Sequence, residues 1–368
     1  MGQQGLGLYV LGLTGRCLHM GRRLPPLARR TSCRHTFFDT GECDLGSFSV
    51  EFPMAASQNR AAEGKQQRYG LDTVEVVSCD GARAVIALHG AHVLSWVPGK
   101  DEEDALFLSS QAIFDGQTPI RGGIPLVFPQ FGSGKRVGTD EKPQSFSSLP
   151  SHGFARRSRW EVSSQTEDGS SATFKLCSND KTMAQWPYEF AASYTVSLDA
   201  GGSLRLRLEI ENKGDKAFDF CSLFHTYFHV DAMQARLRGL HTLSFYDQVS
   251  TKRVCPAERS GEREGEGDGD VIFGLEELDR IYLNVPPALE LITGTGRVFK
   301  IELKASDGQA LDAVVWNPHV AKSKRMKDFA DSEWKEMVCV EPGNVGVGTV
   351  LLPGKTWAMT KTVTMSKI

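Results

Sequence analysis

The sequence lacks the features that mark membrane-spanning and nucleic-acid-binding proteins. No apolar run approaches the roughly 18 residues that a membrane span requires. The 42 basic and 45 acidic residues leave a formal net charge of -3, so neither a nucleic acid nor a membrane surface is expected as a partner. With 368 residues, of which 40% are hydrophobic and 24% charged, the chain has the composition of a globular protein.

Motifs for metals, dithiols and nucleotides are missing as well. The eight cysteines form no Cys-x-x-Cys pair, and no Gly-x-Gly-x-x-Gly motif follows a strand-like segment. Residues 132–135 resemble part of a phosphate loop, but the upstream Gly and the following Ser or Thr are absent. His225 and His229 would lie about 13 Å apart on a strand, too far to share an ion. We therefore predict neither a metal nor a cofactor.

The N-terminal segment differs in composition from the rest of the chain. Residues 1–38 contain six Arg but no Asp, Glu or Lys, which is typical of an organellar transit peptide. A weak secretory signal is an alternative, disfavoured because the chain has no Asn-x-Ser/Thr acceptor, and an extension upstream of a start at Met54 is another. We treat residues 1–60 as an extension and 61–368 as one domain. A cytoplasmic protein is expected, with plastid or mitochondrion as the alternative.

Period-two alternation of apolar and polar residues dominates from residue 71 onward. In the clearest case Leu204, Leu206, Leu208 and Ile210 alternate with charged residues, as in a half-buried antiparallel strand. Similar segments are found at 74–77, 84–88, 160–164, 173–176, 193–198, 281–285, 298–303 and 360–365. With no repeating βαβ pattern, they predict an all-β fold, a large antiparallel β-sandwich.

Two polar segments interrupt this pattern. The acidic segment 258–270 is predicted to be an exposed loop, because its Glu, Gly and Asp residues cannot bury apolar surface. The segment 318–336 is predicted to carry a short helix or loop at the rim of the domain.

The most informative stretch is residues 121–132, with the sequence RGGIPLVFPQFG. It contains one charge, two Pro and three Gly, which forbid a regular helix or a central strand, yet its other residues are mostly apolar. Such a segment is suited to hold the Arg121 guanidinium and the Gln130 amide at a pocket wall. A purely structural loop is the alternative.

Several further polar residues stand in apolar surroundings. His225 lies in SLFHTYF. Glu341 follows MVCV and precedes Pro342-Gly343, so it is expected at the end of an apolar strand, where partial desolvation should raise its pKa. His152 and Arg156 lie in SHGFAR, and Asp279 in LDRIY. Taken singly, each is at least as well explained by a structural role, as a core histidine, a turn carboxylate or a surface ion pair.

Taken together, these motifs resemble the glucose-6-phosphate 1-epimerases, the hexose-6-phosphate mutarotase branch of the aldose 1-epimerase superfamily. The resemblance covers about residues 70–366 and rests on the ordered segments RGGIPLVFPQFG, HGFAR, HTYF, DRIY, VVWNP and VCVEPG. It implies a galactose-mutarotase-like sandwich with its site on the concave face of one sheet. It also implies an isomerase that opens and closes a sugar ring.

The resemblance also implies residue roles. His225 matches the general acid that protonates the ring oxygen, and Glu341 matches the base that takes the anomeric proton. Arg121, His152 and Asp279 match substrate-binding positions, and Gln130 is a weaker match. Arg121 and Arg156 are the expected phosphate partners, since Arg offers fixed bidentate donors.

The expected partner is therefore a hexose 6-phosphate, bound by a monomer. Two alternatives stay open at this point. A mutarotase for free aldoses would turn over sugar and sugar phosphate equally, and a carbohydrate-binding protein on the same fold would bind without exchanging anomers.

Overall fold

The computed structural model describes residues 65–139, 141–256 and 269–368, which form antiparallel β-strands and a few short helices. The strands are β1 Lys65–Arg68, β2 Leu71–Val77, β3 Arg83–Ala87, β4 His92–Val97, β5 Leu126–Val127, β6 Glu161–Gln165, β7 Ser171–Cys177, β8 Phe190–Leu198, β9 Leu204–Asn212, β10 Phe218–Phe224, β11 Tyr227–His229, β12 Arg236–Arg238, β13 Phe245–Asp247, β14 Val254–Cys255, β15 Val271–Ile272, β16 Leu278–Tyr282, β17 Ala288–Ile292, β18 Arg297–Ala305, β19 Asp312–Asn317, β20 Met337–Leu351 and β21 Thr356–Lys367. The helices are α1 Asp180–Gln185, α2 His319–Ser323 and 3₁₀ turns at Gln144–Phe146, Ala155–Arg157 and Glu333–Lys335.

The strands form three sheets within these residues. A small sheet has the order β1-β2-β3-β4, and a nine-stranded sheet has the order β15-β12-β17-β18-β21-β9-β8-β7-β6. An eight-stranded sheet runs β14-β13-β16-β19-β20-β10-β5, with β11 paired to β20. The pairs between these strands are antiparallel, so the predicted all-β class is confirmed.

The main core lies between the two large sheets. Along β9 the buried residues are the alternate Leu204, Leu206, Leu208 and Ile210, as the sequence pattern predicts. The same core cluster holds side chains from the eight-stranded sheet, including Phe220, Val315, Val338 and Val340. Packing of the two inner faces buries alternate residues of strands such as β8, β9 and β18 and confirms the β-sandwich.

The stretch 121–132 contains only the two-residue strand β5 at the edge of the eight-stranded sheet. Its backbone lies along the neighbouring chain, because His225 N donates to Pro125 O (3.0 Å) and Tyr227 N donates to Gly123 O (2.9 Å). A side chain at Gly123 would place its Cβ 2.3 Å from Val93 O, with φ at 58°. Glycine is therefore required for this close approach.

The other predictions have mixed outcomes. The predicted rim segment carries α2 and a 3₁₀ turn. Each of the strand segments predicted from the sequence overlaps an observed strand. Residues 1–60 and most of the acidic segment 258–270 lie outside the described residues, so those predictions stay untested. No described helix is long and apolar enough to cross a membrane.

One expectation is corrected. Glu341 does not end its strand, because β20 continues through Pro342 to Leu351. The Pro-Gly pair suggested a turn. Instead, Pro342 pairs with Ala313 of β19. Proline is tolerated within β20 because the pairing of β20 with β10 becomes irregular close to this position.

Candidate active site

Three neighbouring strands of the eight-stranded sheet, β16, β19 and β20, form the floor of the site. Asp279 on β16 lies opposite Trp316 on β19, which lies opposite Cys339 on β20, and Val314 lies opposite Glu341. Directly opposed residues of antiparallel strands project from the same face of the sheet. Asp279, Trp316 and Glu341 therefore share one face, while Val315 and Val340 project into the main core on the other.

His225 reaches the same face from the turn between β10 and β11. Its imidazole stacks on the Tyr227 ring, with centroids 4.7 Å apart and an interplanar angle of 5°. The edge of Trp316 packs against it at 6.2 Å between centroids. These aromatic contacts leave the ring 7% exposed and hold its plane fixed.

His225 and Glu341 form a buried pair. The distance from His225 Nδ1 to Glu341 Oε1 is 3.2 Å, and Glu341 is 2% exposed. Among the described residues, neither His225 Nδ1 nor Glu341 Oε2 has a partner with hydrogen-bond geometry. Two buried polar atoms without a satisfied bond are costly to a fold, and they are typical of groups that bind a ligand.

Burial shifts both pKa values toward the uncharged forms. It lowers the pKa of His225 well below 6.5, and the charges of His152, Arg156 and Arg121 lower it further. Burial raises the pKa of Glu341 well above 4.5, as does Asp279, while Arg156, Lys361 and Arg121 oppose the rise. At rest the pair therefore favours a neutral imidazole and a protonated carboxyl, which together hold a single exchangeable proton.

Arg121 lies at the pocket wall, as predicted, in a fixed position. Its Nη1 donates to Tyr227 Oη (2.9 Å), and its Nε and Nη2 lie 3.2 and 3.1 Å from Asp328 Oδ2. Although burial disfavours the charge, Tyr227 and Asp328 raise the pKa of Arg121 above its usual value. The guanidinium is a permanent cation whose charge Asp328 partly offsets.

His152 is held next to this wall. Its backbone N–H donates to Gly132 O (2.8 Å), Gly132 N lies 3.4 Å from its Nδ1, and its ring centroid is 5.8 Å from that of His225. At the following residue, a Cβ on Gly153 would lie 2.1 Å from Phe128 O, so only glycine allows this approach. Burial lowers the pKa of His152 well below 6.5, and Arg156 and Arg121 lower it further.

Arg156 has an uncompensated charge. Its Nη2 donates to Ser151 O (2.9 Å), but its buried Nε has no partner and no carboxylate pairs with it within the described part of the chain. Burial lowers its pKa to about 10. Arg156 does not line the pocket, although its charge acts on His152, His225 and Glu341.

Gln130 differs from its predicted placement. It is 0% exposed and does not line the pocket, and its Nε2 donates to Pro150 O at 2.8 Å. The direction of its side chain buries the amide under the loop that leads to His152. In this position the Gln130 amide holds that loop, and its predicted contact with the substrate stays a prediction.

Asp279 is the fifth predicted residue at the pocket. Gln248 Nε2 donates to its Oδ1 (2.5 Å), and Lys322 Nζ lies 3.4 Å from its Oδ2. Burial raises its pKa, and Lys322 and Gln248 oppose that rise. Lys322 is itself shared with Glu277 at 3.0 Å, so its charge is compensated.

The pocket above this floor has a volume of about 310 Å³, enough for a monosaccharide. Its lining residues are Arg121, Phe131, Gly132, His152, His225, Gln248, Asp279, Val314, Trp316, Lys322, Met326 and Glu341. The sequence prediction missed Gln248, Lys322 and Met326. No local pattern marks these three residues as pocket residues. Lys322 and Met326 do lie in the polar segment 318–336, which was predicted to lie at the rim of the domain.

Among the residues that the structure describes, one group of donors lies close enough to share an ion. Donor atoms of His225, Cys339 and Glu341 all lie within 4.8 Å of one another. The group includes both members of the buried pair, so an ion bound there would occupy the atoms available for proton transfer. His229, singled out by its spacing from His225, is not part of it.

Comparison with solved structures defines the class of protein. A Salmonella typhimurium protein described as a “putative mutarotase (YeaD)” aligns with a TM-score of 0.68 at 28% identity, covering 83% of this chain and 93% of that one. A galactose mutarotase-like protein from Clostridium acetobutylicum aligns with a TM-score of 0.62 at 14% identity, which supports the fold alone. The chain has the galactose mutarotase-like β-sandwich fold.

The chain belongs to the aldose 1-epimerase family, whose profile matches residues 72–364. It is therefore an isomerase with a small carbohydrate as its class of substrate. A Cenchrus ciliaris protein named “Putative glucose-6-phosphate 1-epimerase” is 34% identical over 298 residues, which is 78% of this chain and 83% of the relative. An Escherichia coli protein with the same name is 32% identical, covering 74% and 84%.

Proposed function

We propose that this protein interconverts the α and β anomers of glucose 6-phosphate by general acid–base catalysis. The observation that carries the proposal is the buried His225–Glu341 pair, whose Nδ1 and Oε1 atoms lie 3.2 Å apart at the floor of a sugar-sized pocket. His225 Nδ1 and Glu341 Oε2 have no hydrogen-bond partner among the described residues. The names of the Cenchrus ciliaris and Escherichia coli relatives support the choice of substrate.

The chemistry needs only proton transfers. Ring opening places a proton from imidazolium His225 on the ring oxygen and moves the anomeric hydroxyl proton to the Glu341 carboxylate. The aldehyde then rotates about C1–C2, and closure returns both protons to their original groups. Each group typically contributes about 10² to 10⁴-fold, and the pair is restored after every turnover.

The resting pair and the working pair differ only in where one proton lies. At rest the proton is favoured on Glu341, whereas opening requires it on His225. A bound phosphate dianion adds negative charge to the pocket, which favours the imidazolium. Substrate binding therefore promotes the active tautomer without exchange of protons with water.

The phosphate is assigned to the end of the pocket beside His152. The charges of both Arg121 and Arg156 act on the His152 ring, so this end of the pocket is a favourable place for a dianion. Arg121 is balanced by Asp328, whereas the buried Nε of Arg156 has no partner among the described residues. A buried guanidinium nitrogen without an acceptor is costly. Although Arg156 does not line the pocket, we propose that the bound phosphate reaches its Nε and supplies the missing anion.

Anomer exchange measured by NMR at equilibrium, with glucose 6-phosphate and glucose side by side, tests the proposal. Exchange well above the spontaneous rate for the phosphate alone is the expected result. Equal acceleration of both sugars would assign the protein to the general aldose branch. Binding of either sugar without exchange would replace the proposal by a carbohydrate-binding function.

The pH dependence of turnover follows from the two pKa shifts. The active pair holds a single proton, so activity falls when a second proton adds to His225 or when the last leaves Glu341. The first occurs below pH 6.5 because the pKa of His225 is lowered, and the second occurs well above pH 4.5 because that of Glu341 is raised. We therefore expect the acid limb of kcat/KM to lie below pH 6.5 and the alkaline limb to lie well above pH 4.5.

Glucose 6-sulfate provides the control for this profile, since phosphate itself ionises near pH 6. A loss of kcat/KM toward acid pH that is centred on pH 6.5 with both substrates would show an ordinary, solvent-exposed imidazole and contradict the assigned pair.

Asp279 is proposed to hold the sugar ring. Replacing it with Asn keeps the shape but removes the charge that holds Gln248 and Lys322. Charge-assisted hydrogen bonds contribute about 1.5–3 kcal/mol, so KM should rise about 10- to 150-fold for the sugar phosphate. The same factor is expected for glucose, since the phosphate is bound elsewhere, and steady-state kinetics on both sugars measure it. A rise confined to the phosphate would move Asp279 to the phosphate end.

Monomeric state and cytoplasmic location remain parts of this proposal. The organellar alternative depends on residues 1–60, which lie outside the described part of the chain.

A further inference from the structure

Lys361 is a lysine buried in the main core. It lies on β21 of the nine-stranded sheet, where Met359, Lys361 and Val363 occupy alternate, inward positions. Its side chain is 0% exposed, and no carboxylate of a described residue lies within 4.0 Å of it. Lysine is almost never fully buried unless it is paired, so this placement requires an explanation.

The amine contacts the turn that carries His225. Lys361 Nζ donates to Thr226 Oγ1 and lies 5.2 Å from the centre of the Phe228 ring. The Thr226 hydroxyl donates to Phe224 O (3.2 Å), so the amine occupies a remaining lone pair. The backbone carbonyl of the same Thr226 accepts the N–H of Val340 (3.3 Å) on the strand that holds Glu341.

We propose that Lys361 is a positioning residue for the acid–base pair, fixing the His225–Thr226 turn from the opposite sheet and placing a positive charge behind Glu341. The inference rests on the proposed epimerase function. Lys361 does not line the pocket, so it acts through Thr226 and through its charge, without contact to the substrate.

Several charged and titratable groups act on Glu341, and Lys361 is one of its three cations. The other two cations are Arg121 and Arg156. The remaining titratable groups near Glu341 are Asp279, His225 and Cys339. Removing a cation makes protonation of both His225 and Glu341 easier, so both pKa values of the pair should rise. Because Lys361 carries its charge below a pKa of about 7, the acid limb of the pH profile of turnover should then move to higher pH.

Lys361 should also lower the stability of the folded state. Burial lowers the pKa of Lys361 from 10.5 to about 7, although Cys339 and Glu341 oppose this. Because the unfolded chain binds the proton more tightly, stability falls as pH drops from about 10.5 to about 7. Replacing the amine with an apolar group of similar length should therefore stabilise the protein while impairing its reaction.

Lys361→Met tests this combination. We expect kcat for anomer exchange to fall about tenfold with KM within about twofold, while Tm rises by about 2–4 °C. The acid limb of the pH profile should move to higher pH, whereas any change above pH 7 should be small because Lys361 is already largely neutral there. Lys304→Met on the neighbouring strand β18 is the matched control, since Lys304 is exposed, and it should change neither kcat nor the profile.

Thr226 separates the hydrogen bond from the charge. Thr226→Val removes the acceptor for Lys361 and should lower kcat without moving the pH profile, and Thr226→Ser should recover most of that loss. A readout independent of turnover is the pKa of the Glu341 carboxyl, followed by ¹³C NMR, which should rise in Lys361→Met.

The outcomes distinguish this inference from the proposed function. Wild-type kcat, pH profile and Glu341 pKa in Lys361→Met would overturn the role of Lys361 and leave the epimerase intact. No anomer exchange in the wild type would overturn the epimerase, and the carboxyl titration would still decide whether Lys361 sets the charge at Glu341. A loss of Tm in Lys361→Met together with an unchanged carboxyl pKa would assign it a purely structural role.

Discussion

Replacing Glu341 with Gln is expected to lower kcat for anomer exchange by about 10² to 10⁴-fold while the protein stays folded. The amide has the size of the carboxyl but cannot accept the anomeric proton. His225→Ala should cost a similar factor. The double variant should be little worse than either single one, because the two groups act as a unit. NMR exchange spectroscopy on glucose 6-phosphate measures all three.

The stability of Glu341→Gln has a defined sign. Because the folded state raises the pKa of Glu341, the wild type loses stability as pH rises above 4.5 through that raised pKa. The Gln variant has no carboxyl to ionise. Its Tm relative to wild type should therefore increase between pH 5 and pH 8, which differential scanning calorimetry can follow.

Glu333→Gln is the matched control for a buried glutamate. Glu333 accepts hydrogen bonds from Ser109 Oγ (2.7 Å), Ser110 N (2.7 Å) and Ala330 N (2.9 Å), and it lies outside the pocket. Its replacement should cost about 1–3 kcal/mol of stability with little change in kcat. Wild-type kcat in Glu341→Gln, or equal losses of kcat in both variants, would refute the assignment of Glu341 as the base.

Replacing Arg156 with Met should raise KM for glucose 6-phosphate by about 10- to 150-fold, because a charge-assisted contact contributes about 1.5–3 kcal/mol. KM for glucose should change little, since glucose has no phosphate to lose. Arg156 is a cleaner target than Arg121, whose removal also leaves Asp328 unpaired. Initial rates over a range of both sugars provide the measurement.

Arg157→Met is the control for the loss of a nearby charge. Arg157 is the adjacent residue and is exposed, so its replacement changes the net charge equally without emptying a buried site. Equal increases in KM from the two variants would indicate a long-range electrostatic effect on the dianion. An equal increase for both sugars in Arg156→Met would place Arg156 at the ring.

Local patterns in the sequence predicted much of the fold. Alternation along 203–212 predicted β9 with its buried face, because a strand with one face in a core must alternate. The same rule places Lys361 inward between Met359 and Val363, a signal that the sequence contains but the initial prediction did not use. The motifs shared with the epimerases likewise mark His225 and Glu341 as candidates, although no local pattern shows that the two residues are neighbours.

Long-range contacts explain what the sequence could not predict. The side-chain direction of Gln130 depends on the carbonyl of Pro150, twenty residues away, and the hold on Arg121 comes from Asp328. Continuation of β20 through Pro342 depends on its pairing with β19, which overrides the local turn preference of Pro-Gly. None of these partners leaves a periodic signal near the residue that it positions.

The division of the site between sheet and loops has an evolutionary consequence. Glu341 and the turn of His225 are joined to one hydrogen-bonded ladder, whereas Lys322 and Asp328 belong to the segment 318–336 outside it. Substitutions, insertions and deletions in that segment can alter which sugar is accepted without disturbing the spacing of acid and base. Descendants of such a chain can thus diversify their substrates while they inherit the reaction unchanged.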